Sequence, residues 1–218
     1  MGTSERKLSF GNKLDTPDAA WWVEGGEQVS IKDGKLFVQA DAAARGPGWF
    51  CTVWHQTLLP ENYEFHAQAR VESSRTAANN INLFLNYSDP AGVALYETRA
   101  SRATGAYDLY HSMNGYIVTF LNDTESEGGK NADGSTKARV RLRRCPGFEL
   151  LDEAYAGHCR AGVTYNLSFT KRGGALGFSV DGAELVSACD ARPHGAGLLG
   201  LRTFRTNLWW DNLWVQAV

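Results

Sequence analysis

Apolar and polar residues alternate with a period of two through most of this chain. Tyr63, Phe65, Ala67 and Ala69 alternate with Glu64, His66, Gln68 and Arg70. Ile81, Leu83 and Leu85 alternate with Asn80, Asn82, Phe84 and Asn86, and Ala138, Val140 and Leu142 alternate with Arg139, Arg141 and Arg143. That period belongs to strands with one face against a core. Similar stretches are FCTVWHQTL, GYIVTFLN, TYNLSFTKR, LLGLRTF and LWWDNLWVQ. Hairpin turns fall at Asp33-Gly34, Gly173-Gly174 and Asp181-Gly182. PGFELLDEAYAG is expected to form a short helix or helical turn, and NDTESEGGKNADGST a mobile loop. About a dozen short strands without a repeat or a linker predict an all-β fold, two antiparallel sheets packed as a β-sandwich. The expected unit is one domain over residues 1–218, with 1–18 as a looser N-terminal segment.

Composition narrows the class. Of 218 residues, 43% are hydrophobic and 21% charged, enough apolar material for a substantial core. A net charge of −2 disfavours a nucleic-acid partner, and no apolar run approaches a membrane span. Nothing in the pattern fixes an oligomeric state. The 23 glycines, 10 Phe, 8 Tyr and 7 Trp suit tight turns and rings free to stack. Cys51, Cys145, Cys159 and Cys189 contain no CxxC pair, so zinc spacing is absent. Cys145 and Cys159 either form a disulfide or remain free thiols.

The polar faces carry the candidate chemistry. Asn has low β-propensity, and a merely solvated face usually carries Lys, Glu, Thr or Arg. Asn80, Asn82 and Asn86 therefore imply something that hydrogen-bonds amides, with Phe84 offering a stacking ring. Three arginines at alternate positions repel one another unless an anion answers them. The anion is either a bound carboxylate or sulfate, or the acidic residues of neighbouring strands. Trp54 points away from the core if Cys51 and Val53 point into it, and is then placed to stack on a sugar. His111 lies in AYDLYHSMNGY beside Tyr107, Tyr110 and Tyr116.

The segments W-x-V-E-G, I-x-D-G-x-L, Y-x-F-x-A-x-A-R-V, F-S-V-D-G, G-L-L-G-L-R-T and W-D-N-L-W-V, spread from Trp22 to Val215, resemble the concanavalin A-like lectin/glucanase superfamily. More narrowly, N-N-I-N-L-F, R-L-R-R-C-P-G-F and the closing strand resemble a bacterial branch whose members tend to accompany enzymes degrading acidic polysaccharides. The resemblance implies a jelly roll whose concave sheet holds a poly- or oligosaccharide, and a periplasmic or secreted location. It suggests lyase-type β-elimination on a uronate. His111 or His66 would abstract the proton and Tyr107 or Tyr116 would donate one. Asn80, Asn82, Phe84, Gln68, Arg139, Arg141, Arg143 and Trp54 would contact substrate. It requires no cofactor, though in similar jelly rolls an acid such as Asp211 helps hold a structural calcium. The acidic E-x-D-x-x-E strand of superfamily glucanases is absent, which disfavours that hydrolysis. The alternatives are a non-catalytic carbohydrate-binding module, and a glycosidase or 3-keto-glycoside-cleaving enzyme.

Overall fold

A computed structural model describes residues 5–16, 18–122, 132, 134 and 137–218. The expected mobile loop at 122–136 lies almost wholly outside them. Fifteen strands run among the described residues: β1 (Glu5–Lys7), β2 (Trp21–Gly25), β3 (Gln28–Lys32), β4 (Lys35–Ala40), β5 (Phe50–Leu59), β6 (Tyr63–Ser73), β7 (Ile81–Ser88), β8 (Asn114–Asn122), β9 (Ala138–Cys145), β10 (Glu149–Ala154), β11 (Thr164–Arg172), β12 (Ala175–Val180), β13 (Ala183–Cys189), β14 (Gly197–Phe204) and β15 (Thr206–Ala217). They form two antiparallel sheets. One has the order β13-β12-β11-β6-β15-β4-β3 with β1 added to β15, and the other β10-β9-β8-β7-β14-β5-β2.

The alternation decides which side chains meet between the sheets. Phe65, Ala67 and Ala69 of β6, Leu167 and Phe169 of β11, and Trp210 of β15 face Ile81, Leu83 and Leu85 of β7, Val118 and Phe120 of β8, and Val140 and Leu142 of β9 in one buried cluster. Each buried Leu, Ile, Val or Phe side chain contributes about 1.5–3 kcal/mol relative to exposure. The sandwich expected from the sequence is the fold observed.

Two local expectations need correction, and one open alternative is decided. Residues Glu149–Ala154 form strand β10, not a helix, paired with β9. A bulge between Leu150 and Asp152 interrupts the period of two and hides the strand from pattern reading. The four cysteines are all free thiols, so Cys145 and Cys159 are not joined. Asn86 does not share the face of Asn82. It sits at a bulge with φ 56°, accepts from Tyr63 Oη at 2.8 Å and donates to the Gly195 carbonyl at 2.8 Å, closing the end of the sandwich.

Residues between β7 and β8 do not pair with either sheet. They contain two 3-10 turns, Arg99–Arg102 and Tyr107–Tyr110, and pack on the outer face of the seven-stranded sheet. A second buried cluster results, in which Leu95, Tyr110 and Met113 of this covering segment meet Trp22, Trp54, Phe84 and Ile117 of the strands.

Candidate functional site

Strand register builds two transverse rows on that outer face. Glu24, Thr52, Arg202, Asn82, Thr119, Arg141 and Glu153 are paired neighbours across seven strands. The adjacent row is Trp22, Trp54, Gly200, Phe84, Ile117, Arg143 and Leu150. One row is polar and charged, the other mainly apolar. From Arg202 to Arg141 the polar row crosses three strand spacings, about 14 Å. Arg139, two residues before Arg141 on β9, points to the same side. The amide of Asn82 and the arginines of β9 therefore share one face, as the alternation predicted.

The β2 end of this row is a closed knot. Glu24 is 1% exposed, and its two carboxylate oxygens accept five hydrogen bonds. The donors are Trp22 Nε1 at 3.2 Å, Trp54 Nε1 at 3.0 Å, Tyr110 Oη at 2.7 Å, and Arg102 Nε and Nη2 at 3.2 and 2.9 Å. Arg102 also donates to the Leu95 carbonyl and to Thr98. The buried pair thus clamps the covering segment to β2 and β5. With every lone pair of Glu24 engaged, its role is to fasten the segment.

The middle and the β9 end are different. Arg202 is buried, with Nη1 donating to Thr52 Oγ1 at 2.8 Å and to the Gly105 carbonyl at 2.7 Å. Its Nε has no partner, and neither has Oδ1 of Asn80 or of Asn82, all three atoms being buried. Tyr107 reaches over this stretch from the covering segment. Its ring stacks on Phe84 at 6.2 Å and lies 4.9 Å from the Arg202 guanidinium. Burial pushes the Tyr107 hydroxyl above its ordinary pKa, against the pull of Arg202, Thr119, Arg141 and Arg143. It stays protonated at neutral pH.

His111 completes the border. Its ring stacks on Phe148 at 3.8 Å and meets Tyr107 edge-on at 4.7 Å. Phe148 also stacks under Arg143, whose Nη1 donates to the Phe148 carbonyl at 3.0 Å. Burial lowers the His111 pKa, partly offset by Asp108, and Arg202 and Arg143 lower it further. The imidazole is neutral at pH 7, and its buried Nε2 has no partner. A neutral imidazole beside a protonated phenol is a base next to an acid. Glu153 pairs with Arg139 at 2.6 Å, so part of the β9 ladder is answered by a neighbouring strand.

Other expected site residues lie elsewhere. His66 and Gln68 are on β6, on the outer face of the eight-stranded sheet. There His66 stacks on Trp214 at 3.7 Å, and Gln68 bonds Asn166 and Asn212. Tyr116 points into the core side of β8 and donates to Asp190 Oδ2 at 2.8 Å. Trp54 and Phe84 do face away from the main core, but the covering segment buries both completely, so neither ring is open to a sugar. Asp211 pairs with Lys35 at 3.4 Å, and among the described residues no group of three or more His, Cys, Asp and Glu is placed to hold a metal.

Sequence reading passed over Glu24, Arg102, Thr119 and Arg202. For Arg202 the signal was present: in GLLGLRTF, Leu199 and Leu201 face the core, which leaves Gly200 and Arg202 on the other side. The knot could not be read locally, because Glu24 and Arg102 are 78 residues apart.

Two antiparallel sheets packed face to face make this a jelly-roll sandwich. A Bacillus subtilis protein of unknown function with a galectin-like fold superposes with a TM-score of 0.73 at 19% identity, over 99% of both chains. The carbohydrate binding module CBM66 from Bacillus subtilis gives 0.60 at 11% identity, covering 93% of this chain and 97% of that one. The VIP36 exoplasmic/lumenal domain, solved bound to Ca2+ and Man3GlcNAc, gives 0.62 at 10% identity over 92% and 84%. At these identities the likeness carries the fold. No protein-family model matches the chain, and no curated protein does.

Proposed function

We propose that this protein binds an acidic saccharide on the outer face of the seven-stranded sheet. The observation that carries the reading is the polar row, in which Arg202, Asn82 and Thr119, buried beneath the covering segment, and the partly exposed Arg141 come from four adjacent strands to one face. Amides match sugar hydroxyls, and guanidinium groups match carboxylates bidentately. Structures of this shape include a carbohydrate binding module and a domain solved bound to Man3GlcNAc, which supports a saccharide as the ligand class. Calorimetric titration with oligogalacturonate and with its carboxyl-reduced form tests the reading. The acidic form binds tighter, and Arg141→Gln weakens it by about tenfold or more, the size of one charge-assisted hydrogen bond. Equal affinity for both forms would defeat the acidic reading.

A second reading is favoured by His111 and Tyr107. In β-elimination, an arginine neutralises the uronate carboxylate and so acidifies the C5 proton. His111 Nε2 takes that proton, a C4–C5 double bond forms, and the C4–O bond breaks with Tyr107 protonating the leaving oxygen. The unpartnered Nε2 and the 4.7 Å ring contact support this pairing. Ultraviolet absorbance of an unsaturated product separates the two readings. Under elimination, His111→Ala abolishes that signal and leaves affinity nearly unchanged; a binding protein gives no signal with any acidic glycan.

A further inference from the structure

Arg202 is a buried cation with no anion. Its side chain is 1% exposed, and no carboxylate pairs with it among the described residues. The acid of the same row on the β2 side, Glu24, is committed to Arg102. Four rings surround the guanidinium, Tyr107 at 4.9 Å, Tyr110 at 5.2 Å, Phe84 at 5.4 Å and Phe50 at 5.9 Å. Their faces attract a cation but bring no negative charge. Burying an unpaired charge is costly, and an arginine does not escape by losing its proton at neutral pH.

The hydrogen bonds show which side of the group is spoken for. Nη1 is saturated by Thr52 and Gly105. Nε has no partner, and Nη2 makes no hydrogen bond to a described residue. The Nε–Nη2 edge is the one that takes a planar carboxylate through two parallel bonds. Directly across the register stands Asn82, and Asn80 lies two residues before it in the chain. Both carry a buried Oδ1 with no donor, and both are at least nine-tenths buried. A carboxylate needs donors, and sugar hydroxyls need acceptors. This spot offers both.

We infer that the Nε–Nη2 edge of Arg202, with the amide oxygens of Asn82 and Asn80, forms a buried subsite that takes the carboxylate and adjacent hydroxyls of one uronic acid residue. The inference rests on the reading of this face as a saccharide site and assigns its specificity to a side chain beneath the covering segment. The half-buried Tyr107 ring lies 4.9 Å from the Arg202 guanidinium, and its displacement by the sugar is part of the proposal.

The test uses trigalacturonate and its carboxyl-reduced trisaccharide as probes of the whole protein. Arg202→Met binds the acidic probe about tenfold or more weakly than wild type and the reduced probe unchanged. Asn82→Leu weakens both. A measurement on wild type guards against variants that fail to fold: the arginine side-chain Nε–H resonance of Arg202, assigned by its loss in Arg202→Lys, shifts with trigalacturonate and not with the reduced probe. If trigalacturonate binds while that resonance stays still and Arg202→Met keeps full affinity, the subsite is overturned and the saccharide reading stands. If neither probe binds wild type, both fall.

Discussion

At the scale of residues, Glu24 and Arg202 stand two positions apart in one row and have opposite fates. Glu24 is satisfied five times over, whereas Arg202 keeps one edge unanswered. Glu24→Gln removes the charge that compensates Arg102 and leaves that guanidinium buried. Breaking a buried pair from one side costs about 3–5 kcal/mol, so urea denaturation of Glu24→Gln should show a loss of that order. A loss under about 1 kcal/mol would mean the covering segment is fastened by its rings alone. Residue types were legible in the sequence where alternation set the face: Asn82, Arg139, Arg141 and Arg143 fall where the period of two puts them. His66 has the same alternation but belongs to the other sheet, and a strand's own pattern says nothing of which sheet it joins.

At the scale of elements, the aromatic row depends on a strand that lacks a side chain at its centre. A Cβ added at Gly200 of β14 would lie 2.9 Å from the Trp54 ring and 3.1 Å from Phe84 Cβ. Both rings are already fixed, Trp54 by its bond to Glu24 and Phe84 by its stack on Tyr87 at 4.6 Å. Gly200→Ala should therefore cost about 1–3 kcal/mol by overpacking. Gly195→Ala, where nothing lies within 4 Å, should stay within about 0.5 kcal/mol. Comparable denaturation midpoints for the two variants would refute this account of the row. The covering segment was the least legible element. Its residues carry no period, and their apolar side chains find partners on the flanking strands and on β2 and β5, far earlier in the chain. Trp54 shows the consequence: with Cys51 and Val53 in the core it does face the other way, but the loop that closes over it was not legible.

At the scale of the whole molecule, four histidines are held below their ordinary pKa of 6.5, chiefly by burial: His55, His66, His111 and His194. In the unfolded chain they take up protons as pH drops through about 6.5. In the folded chain they resist until lower pH, so the unfolded state binds more protons and stability falls. Asp190 adds to this at lower pH. Burial raises its pKa, but bonds from the Arg192 amide, Tyr116 and Arg144 outweigh it, and the net shift is downward from 3.8. Its contribution is present above the unfolded value and lost as pH falls through the folded one. Urea midpoints should therefore be lower at pH 5.5 than at pH 7.5, with the histidines responsible in that window. A flat or rising midpoint would contradict the burial assigned to them. The two-sheet architecture itself was legible because hairpin turns and alternation repeat along the chain, whereas the order of strands was not, since β14 and β15 pair with strands far earlier in sequence.

The most direct measurement is a crystal structure of the protein soaked with trigalacturonate. The saccharide should lie on the seven-stranded sheet, with a carboxylate against an arginine of the row and a hydroxyl on Asn82. A saccharide seated instead on the eight-stranded sheet, beside His66 and Trp214, would contradict the account.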